Sequence, residues 1–350
     1  MMVIRKTKSS KFLTTPTRPL QIDRDRSVAG VLDKMEGISY QGRNLALARH
    51  IWKRMLADGA LIMMGMSGLL IPAGMRRLVV YLIKNRFIDL LVVTGGNLFH
   101  DLHETLGRYH YIGSPDLNDA ELRDALVDRT YDTLGSDIEF REAHEWIANF
   151  VAQLDVSRPY STREFLYLLG RELSEIAAED GVLTAAYKSK IPVYCPSIAD
   201  SAMGTGLAMS RVERKRELTF DIVQDVEEVA YLAAKSPKTG LVCFGGGSPK
   251  DFLEQAYATA NMLKLTARGH QYAVQIVTEP PHFGSSAELT LEESQSWGKV
   301  AKNAQKVTVF CDGTIAMPIL VTALAQSATK EAKNRRRPNF NITRELKVTY

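Results

Sequence analysis

Leu241-Val242-Cys243-Phe244-Gly245-Gly246-Gly247-Ser248-Pro249-Lys250 is an apolar run that stops at three glycines and restarts as a helix. An unbroken run of this kind reads as a strand buried on both faces, the signature of a parallel sheet. Ser248 suits a cap and Pro249 the first helical position, where a missing N–H costs nothing. Backbone N–H groups at such a helix start attract anions, a pyrophosphate above all. The stretch lacks both the Gly-Lys-Ser/Thr ending of a P-loop and the spacing of the dinucleotide fingerprint. Alone, it is either a tight turn or an anion cradle.

The same alternation extends in both directions. Helical periodicity over Ala46 to Leu56 leads into a strand at Leu61 to Met64, and a helix at Met75 to Asn85 into a strand at Asp89 to Thr94. Helices near Thr162 to Ala178 and Asp221 to Ser236 separate strands at Ile191 to Cys195, Leu241 to Phe244, Tyr272 to Thr278 and Val307 to Cys311. Buried strands alternating with helices predict an α/β fold: a doubly wound, mainly parallel, Rossmann-like sheet with helices on both faces. Residues 1–25, rich in Lys, Arg, Thr and Pro, read as a flexible arm, 26–330 as a single domain, and 331–350 as a basic tail. Within the domain, residues 114–160 read as a helical insertion with periodicity in Glu121 to Val127 and Ile138 to Leu154.

Composition narrows the classes. The chain has 350 residues, of which 45% are hydrophobic and 24% charged, as in an ordinary globular protein rather than a disordered one. Its 44 basic and 40 acidic residues leave a net charge of only +4, which does not call for a nucleic-acid partner. The one basic run, Lys330 to Arg337, carries limited aromatic interleaving. The longest apolar stretch, Ala60 to Met75, is broken by Gly65, Gly68, Pro72 and Gly74, so no membrane span is expected. The basic start, Met1 to Leu13, has no apolar core of a signal peptide. Cys195, Cys243 and Cys311 lie in or at the end of apolar runs without metal or disulfide spacing. That pattern fits a cytoplasmic location and no bound metal.

In a doubly wound sheet, ligands gather beyond the carboxyl ends of the strands. Those ends carry Ser67 and Gly68; Thr94, Gly95 and Gly96; Asp200; Gly245, Gly246 and Gly247; Thr278; and Asp312 and Gly313. Small and hydroxyl residues leave backbone amides open to phosphate, and Asp200 and Asp312 suit either ribose hydroxyls or the capping of the next helix. A second chemical cluster is Trp297-Gly298-Lys299, with Glu293 four residues before Trp297. On a helix Glu293 and Trp297 share a face, where a carboxylate and an indole suit a cationic amine. Lys299 is then either a nucleophilic amine or an ordinary surface lysine.

Taken in order, these segments resemble the deoxyhypusine synthase family, and more closely the deoxyhypusine synthase-like proteins. The resemblance rests on Ser67 to Met75, Val93 to Leu102, Ile191 to Gly204, Leu218 to Val226, Gly245 to Phe252, Glu292 to Val300 and Val309 to Leu320. It implies a homotetramer that binds NAD between subunits and transfers an aminobutyl-type group from a polyamine through an imine on a lysine. Lys299 matches that lysine, and Glu293 and Trp297 match residues of the polyamine channel. Ser67, Thr94, Gly96, Asp200, Gly246, Thr278, Asp312 and Gly313 match positions that contact NAD, with Gly68, Gly95, Gly245 and Gly247 in the same loops. Lys250 matches the lysine of the glycine turn.

The departures bear on the substrate. Asp251 stands where the eukaryotic and archaeal enzymes have a histidine, Thr205 where they have an aspartate, and His100 where they have a glutamate near the NAD site. Phe283 to Ala287 contains no acidic residue. Two missing carboxylates would cost a long dicationic donor on the order of 1.5 to 3 kcal/mol each, which points away from spermidine. Lys250, Asp251 and Thr205 are therefore the residues expected, with Glu293 and Trp297, to set the amine. The expected activity is an NAD-dependent alkylamine transferase, with a small amine or a protein lysine as acceptor. A homospermidine-type reaction, modification of initiation factor 5A, and a non-catalytic NAD-binding protein are the alternatives.

Overall fold

In the computed structural model, which describes residues 14–22, 24–266, 268–283 and 289–350, the apolar runs become the strands of one parallel sheet. In chain order the strands are β1 (Leu61–Met66), β2 (Leu90–Val93), β3 (Tyr111–Ile112), β4 (Val127–Thr130), β5 (Thr133–Ser136), β6 (Val193–Tyr194), β7 (Thr239–Phe244), β8 (His270–Val277), β9 (Val300–Phe310), β10 (Asn339–Ile342) and β11 (Leu346–Thr349). The main sheet runs β6-β2-β1-β7-β8-β9, with every pairing parallel. Counted along the chain, that is the order three-two-one-four-five-six of doubly wound dinucleotide folds. The expected fold class is the observed one. β1 and β7 lie side by side where the winding reverses, so the loops after Met66 and Phe244 open into one crevice.

Each strand feeds two cores because successive side chains point to opposite faces. Ile62, Met64 and Met66 of β1 join the larger core with Trp52, Phe99 and Leu320, while Leu61 and Met63 join a smaller one with Leu253, Tyr257 and Leu232. β1 and β7 are buried along their whole length, which is why neither shows a polar alternation in sequence. Full burial of each large apolar side chain contributes roughly 1.5 to 3 kcal/mol. The helix Gly247–Met262 lies on the smaller core and runs back from the carboxyl edge of β7. Among the described residues no helix is long and apolar enough to cross a membrane.

Two expectations about organisation need correction. The segment 114–160 is not purely helical: besides the helices Asp119–Asp124 and Asp137–Ala152 it contains β4 and β5, which pair with β3 in a small antiparallel sheet. Tyr131, with φ of +52°, turns the chain between β4 and β5 without a glycine to announce it. Residues 331–350 are not a solvated tail. After the helix Thr329–Asn334, the β10–β11 hairpin buries Phe340 and Ile342 in the smaller core. Arg335 is buried in a two-pronged pair with Asp89 at 2.7 and 2.8 Å and also donates to Ala60 O and Arg86 O. A sequence window sees the charges of Lys330 to Arg337 but not the carboxylate waiting at the start of β2. Of the expected arm, residues 1–13 and 23 lie outside the described residues. Within 14–22, Arg18 N–H donates to Gly37 O at 2.8 Å.

Candidate functional site

The glycines of the opening stretch are required by close approach. Gly245 has φ of +83° and Gly247 of +63°, a region that side chains strain to occupy. A Cβ on Gly245 would collide with Ser67 Oγ, and one on Gly95 with Ser201 Oγ. Gly245 N–H donates to Ile276 O at 2.7 Å and Ser67 N–H to Phe244 O at 3.0 Å, tying the three loops at the ends of β1, β7 and β8 together. The helix cap is Gly246 rather than Ser248, and no side chain caps the helix Gly247–Met262. The helix Gly95–Thr105, which follows Thr94, likewise has no side-chain cap. Two helix starts thus present amide donors at the ends of β2 and β7, on either side of β1, with glycines at their first positions. That donor set fits the pyrophosphate of a dinucleotide.

Asn97 holds this crevice in shape. It is fully buried, accepts from Ile71 N–H at 3.0 Å, and donates to Thr94 Oγ1 at 2.9 Å and to Gly68 O. The parallel sheet brings Ser67, Gly68, Thr94, Gly95, Gly96, Gly245, Gly246, Gly247, Thr278, Asp312 and Gly313 to one edge, with Asp200 just beyond the end of β6. The two aspartates differ. Asp312 is engaged as a cap, accepting from Thr314 N–H at 2.7 Å, whereas Ser201 caps the helix after Asp200 and leaves that exposed carboxylate to other partners. His100 faces away from open solvent, with Nδ1 2.8 Å from His110 Nε2 beside Phe140. Burial, followed by the neighbouring His110, pushes it down to about 3. A neutral histidine therefore stands at this position.

Lys299 reaches this edge indirectly. Its main chain lies at the far end of the sheet, where His270 N–H, starting β8, donates to Lys299 O at 2.9 Å. The helix Gly247–Met262 closes the distance by running back across the sheet. Lys299 is 4% exposed, and its Nζ donates to Asp251 Oδ1 at 2.8 Å, one turn into that helix. The Trp297 ring centroid is 5.9 Å from Nζ, and the indole is 65% exposed. Gly298, with φ of +70°, makes the turn between indole and amine. Asp251 is half-exposed and opens on a cleft of about 420 Å³ lined also by Ser248, Phe252, Gln255 and Thr259.

Other candidates sit differently from expectation. The helix carrying Glu293 is one turn long, Glu293–Ser296, and Trp297 ends it. Glu293 closes that turn: its carboxylate accepts from Thr290 N–H at 2.7 Å while its own N–H donates to Thr290 Oγ1 at 3.0 Å, a reciprocal cap. The hydrogen bond from Thr290 N–H lowers its pKa. Lys250 faces inward. It is fully buried, donating to Leu289 O at 2.6 Å and lying 3.4 Å from Glu254 Oε2, so it is placed to hold protein rather than substrate. Thr205 is exposed on the helix Ala202–Glu213 and does not line the Asp251 cleft. Phe283 to Ala287 lies, beyond Phe283, outside the described residues.

Glu254 is the residue that sequence reasoning missed. It is buried under Lys299, accepts from Ser294 Oγ at 3.0 Å, and has no partner for Oε1 among the described residues. Burial raises its pKa, opposed by the Lys250 charge, the Ser294 hydrogen bond and the Lys299 charge. A signal did exist: Lys250, Glu254 and Tyr257 follow at i, i+4 and i+7, one helix face shared by two charges and an aromatic ring.

Comparison with known proteins finds one family over most of the chain. The family described as deoxyhypusine synthase matches residues 30–324. A Methanosarcina mazei protein named "Probable deoxyhypusine synthase 2" is 45% identical over 316 residues, covering 89% of this chain and 90% of its own. A Coxiella burnetii protein named "Deoxyhypusine synthase-like protein" is 34% identical over 297 residues, 83% of this chain and 84% of its own. Among solved structures, one from Entamoeba histolytica bearing the same enzyme's name superposes with a TM-score of 0.59 at 17% identity, over 89% of this chain and 97% of that one. That likeness concerns the fold.

Proposed function

Because the chain belongs to the deoxyhypusine synthase family, we propose that it transfers an aminoalkyl group between amines, with NAD as cofactor and an imine on Lys299 as the covalent intermediate. The observation that carries this is the buried Lys299 amine held on Asp251 one turn below the glycine loop. The two uncapped helix starts, with Ser67, Thr94 and Gly245 to Gly247, are the groups that would hold the cofactor's phosphates. When bound, NAD supplies a hydride acceptor and later returns the hydride.

The residues divide the remaining work. Lys299 attacks the C=N carbon of the oxidised donor, the donor's remaining amine leaves, and a new C=N bond joins the alkyl group to Nζ. To attack, the amine must first shed a proton, and Asp251 Oδ1 at 2.8 Å is the base within reach. The Trp297 face beside Nζ suits a cationic alkylamine. An acceptor amine then displaces Lys299 by the reverse exchange. The half-exposed Asp251 carboxylate and its cleft favour a small diamine acceptor, as in a homospermidine-type reaction, over the lysine of a protein such as initiation factor 5A. The exposure of Trp297, Thr278 and Asp312 supports a homotetramer in which a second copy covers the site.

The test is to incubate the protein with NAD and a series of diamines and triamines, reduce with borohydride, and map adducts by mass spectrometry. An alkyl adduct on Lys299, absent in Lys299→Ala while that variant still binds NAD, is the expected result. NAD binding without NADH formation or adduct for any amine would leave a binding protein instead.

A further inference from the structure

The chain leading to Lys299 is tied by the Glu293–Thr290 cap and by His270 N–H on Lys299 O, with little regular structure between. Residues 289–299 run beside the helix Gly247–Met262 with a single turn of helix, Glu293–Ser296, and one turn is far below the length at which a helix persists unaided. Leu291 anchors the segment in the smaller core, but apolar contact is not directional enough to aim an amine at a carboxylate. Directional contacts from the helix come from two buried charges. Lys250 Nζ donates to Leu289 O at 2.6 Å at the segment's start, and Glu254 Oε2 accepts from Ser294 Oγ at 3.0 Å in its middle. Ser294 in turn accepts through its carbonyl from Lys299 N–H at 3.0 Å, so the last link fixes the main chain of the reacting residue itself.

We propose that Lys250, Glu254 and Ser294 form a buried clamp that sets Lys299 against Asp251, with Glu254 as its central positioning residue. The inference rests on Lys299 being the reacting amine. Lys250 and Glu254 are one turn apart on the same helix as Asp251, so the clamp and the carboxylate it serves share one rigid element. Neither clamp charge opens on the Asp251 cleft, which separates their role from that of groups touching substrate. Glu254 Oε2 serves both Ser294 and Lys250, which makes the carboxylate the joint of the device.

The experiment uses the intact protein and two variants, Glu254→Gln and Ser294→Ala. The first leaves the Lys250 charge without its carboxylate and tests folding as well; the second deletes one hydroxyl. Each lysine is labelled with formaldehyde and cyanoborohydride, without NAD or amine, and the rates are read by mass spectrometry. A released Lys299 leaves its buried seat, so its labelling in Ser294→Ala should rise at least threefold while buried Lys250 stays unlabelled. With NAD and the best amine, the rate of the Lys299 adduct should fall at least tenfold, with KM for the amine held. General loss of structure would also expose Lys250, which is 1% exposed, so its unchanged labelling is what separates a released clamp from unfolding. Unchanged Lys299 labelling, Lys250 labelling that rises in step, or an unaffected adduct rate would each overturn the clamp. If the wild-type protein forms no adduct with any amine, the transfer reaction fails, while the labelling still judges whether the clamp exists.

Discussion

Replacing Asp251 by Asn changes one charge at the point where the proposed reaction begins. Asn keeps the size of the side chain and an oxygen that can accept from Lys299 Nζ, now 2.8 Å from Oδ1, but it cannot take up the proton. Two losses follow. A hydrogen bond between charged partners contributes about 1.5 to 3 kcal/mol, and the half-exposed carboxylate places this one near the lower end, about tenfold in rate. A positioned base contributes a further factor of roughly 100 to 10,000 where proton removal limits the step. Asp251→Asn should therefore lower the single-turnover rate of the borohydride-trapped Lys299 adduct by at least about 1,000-fold. NAD affinity should stay within about twofold, because the glycine loop and Ser67 lie outside the pair. Asp251→His, which restores the family's residue, should recover part of the rate. An Asn variant within tenfold of wild type would remove Asp251 as the base and leave it only as an anchor.

Three further outcomes follow from the fold. Gly245→Ala and Gly247→Ala both force an L residue to positive φ, costing roughly 1 to 2 kcal/mol, but only Gly245 has Ser67 Oγ in the way of a Cβ. The first should therefore lower the melting temperature more and also weaken NAD in a binding titration; equal effects would contradict the close approach. Arg335→Met leaves Asp89 buried without its partner and should cost about 3 to 5 kcal/mol by denaturant titration. A loss under 1 kcal/mol would return the segment to the status of a tail. His270 is fully buried between Thr239 and Leu253, and burial pushes it down to about 4. The unfolded chain binds its proton near pH 6.5 and the native chain does not until about 4. Stability should thus fall as pH drops through that window, by on the order of 3 kcal/mol for this group. His270→Gln should reduce the slope between pH 6.5 and 4.5, leaving the part that His100 contributes in the same window, and an unchanged slope would exclude His270 as a source.

The sheet was legible because its strands are buried on both faces: Leu61–Met66 and Thr239–Phe244 read as continuous apolar runs only because helices cover each side. The crevice was legible for a related reason, since small residues after every strand have no role in a covered sheet except at its open edge. The β10–β11 hairpin was not, because its strands are only four residues long and depend on a core whose residues reach back to Leu61. Nor was the pair Arg335–Asp89, whose partners are 246 positions apart. Nothing local distinguishes an arginine that enters such a pair from one in a solvated run.

Lys250 and Asp251 show where a motif stops being informative. As neighbours on a helix they point about 100° apart, so only one can face a given pocket, and a match to a family's glycine turn cannot say which. Burial decides it. Lys250 is enclosed with Glu254 under the Lys299 segment, and Asp251 is half-open beside the cleft with Lys299 on its carboxylate. The lysine that the motif marks as a ligand group thus holds protein, and it is Asp251 that meets the Lys299 amine. In the proposed reaction a carboxylate at that position favours a cationic acceptor where a neutral imidazole would not, so the charge of the acceptor amine, rather than the length of the donor, is the property to vary first.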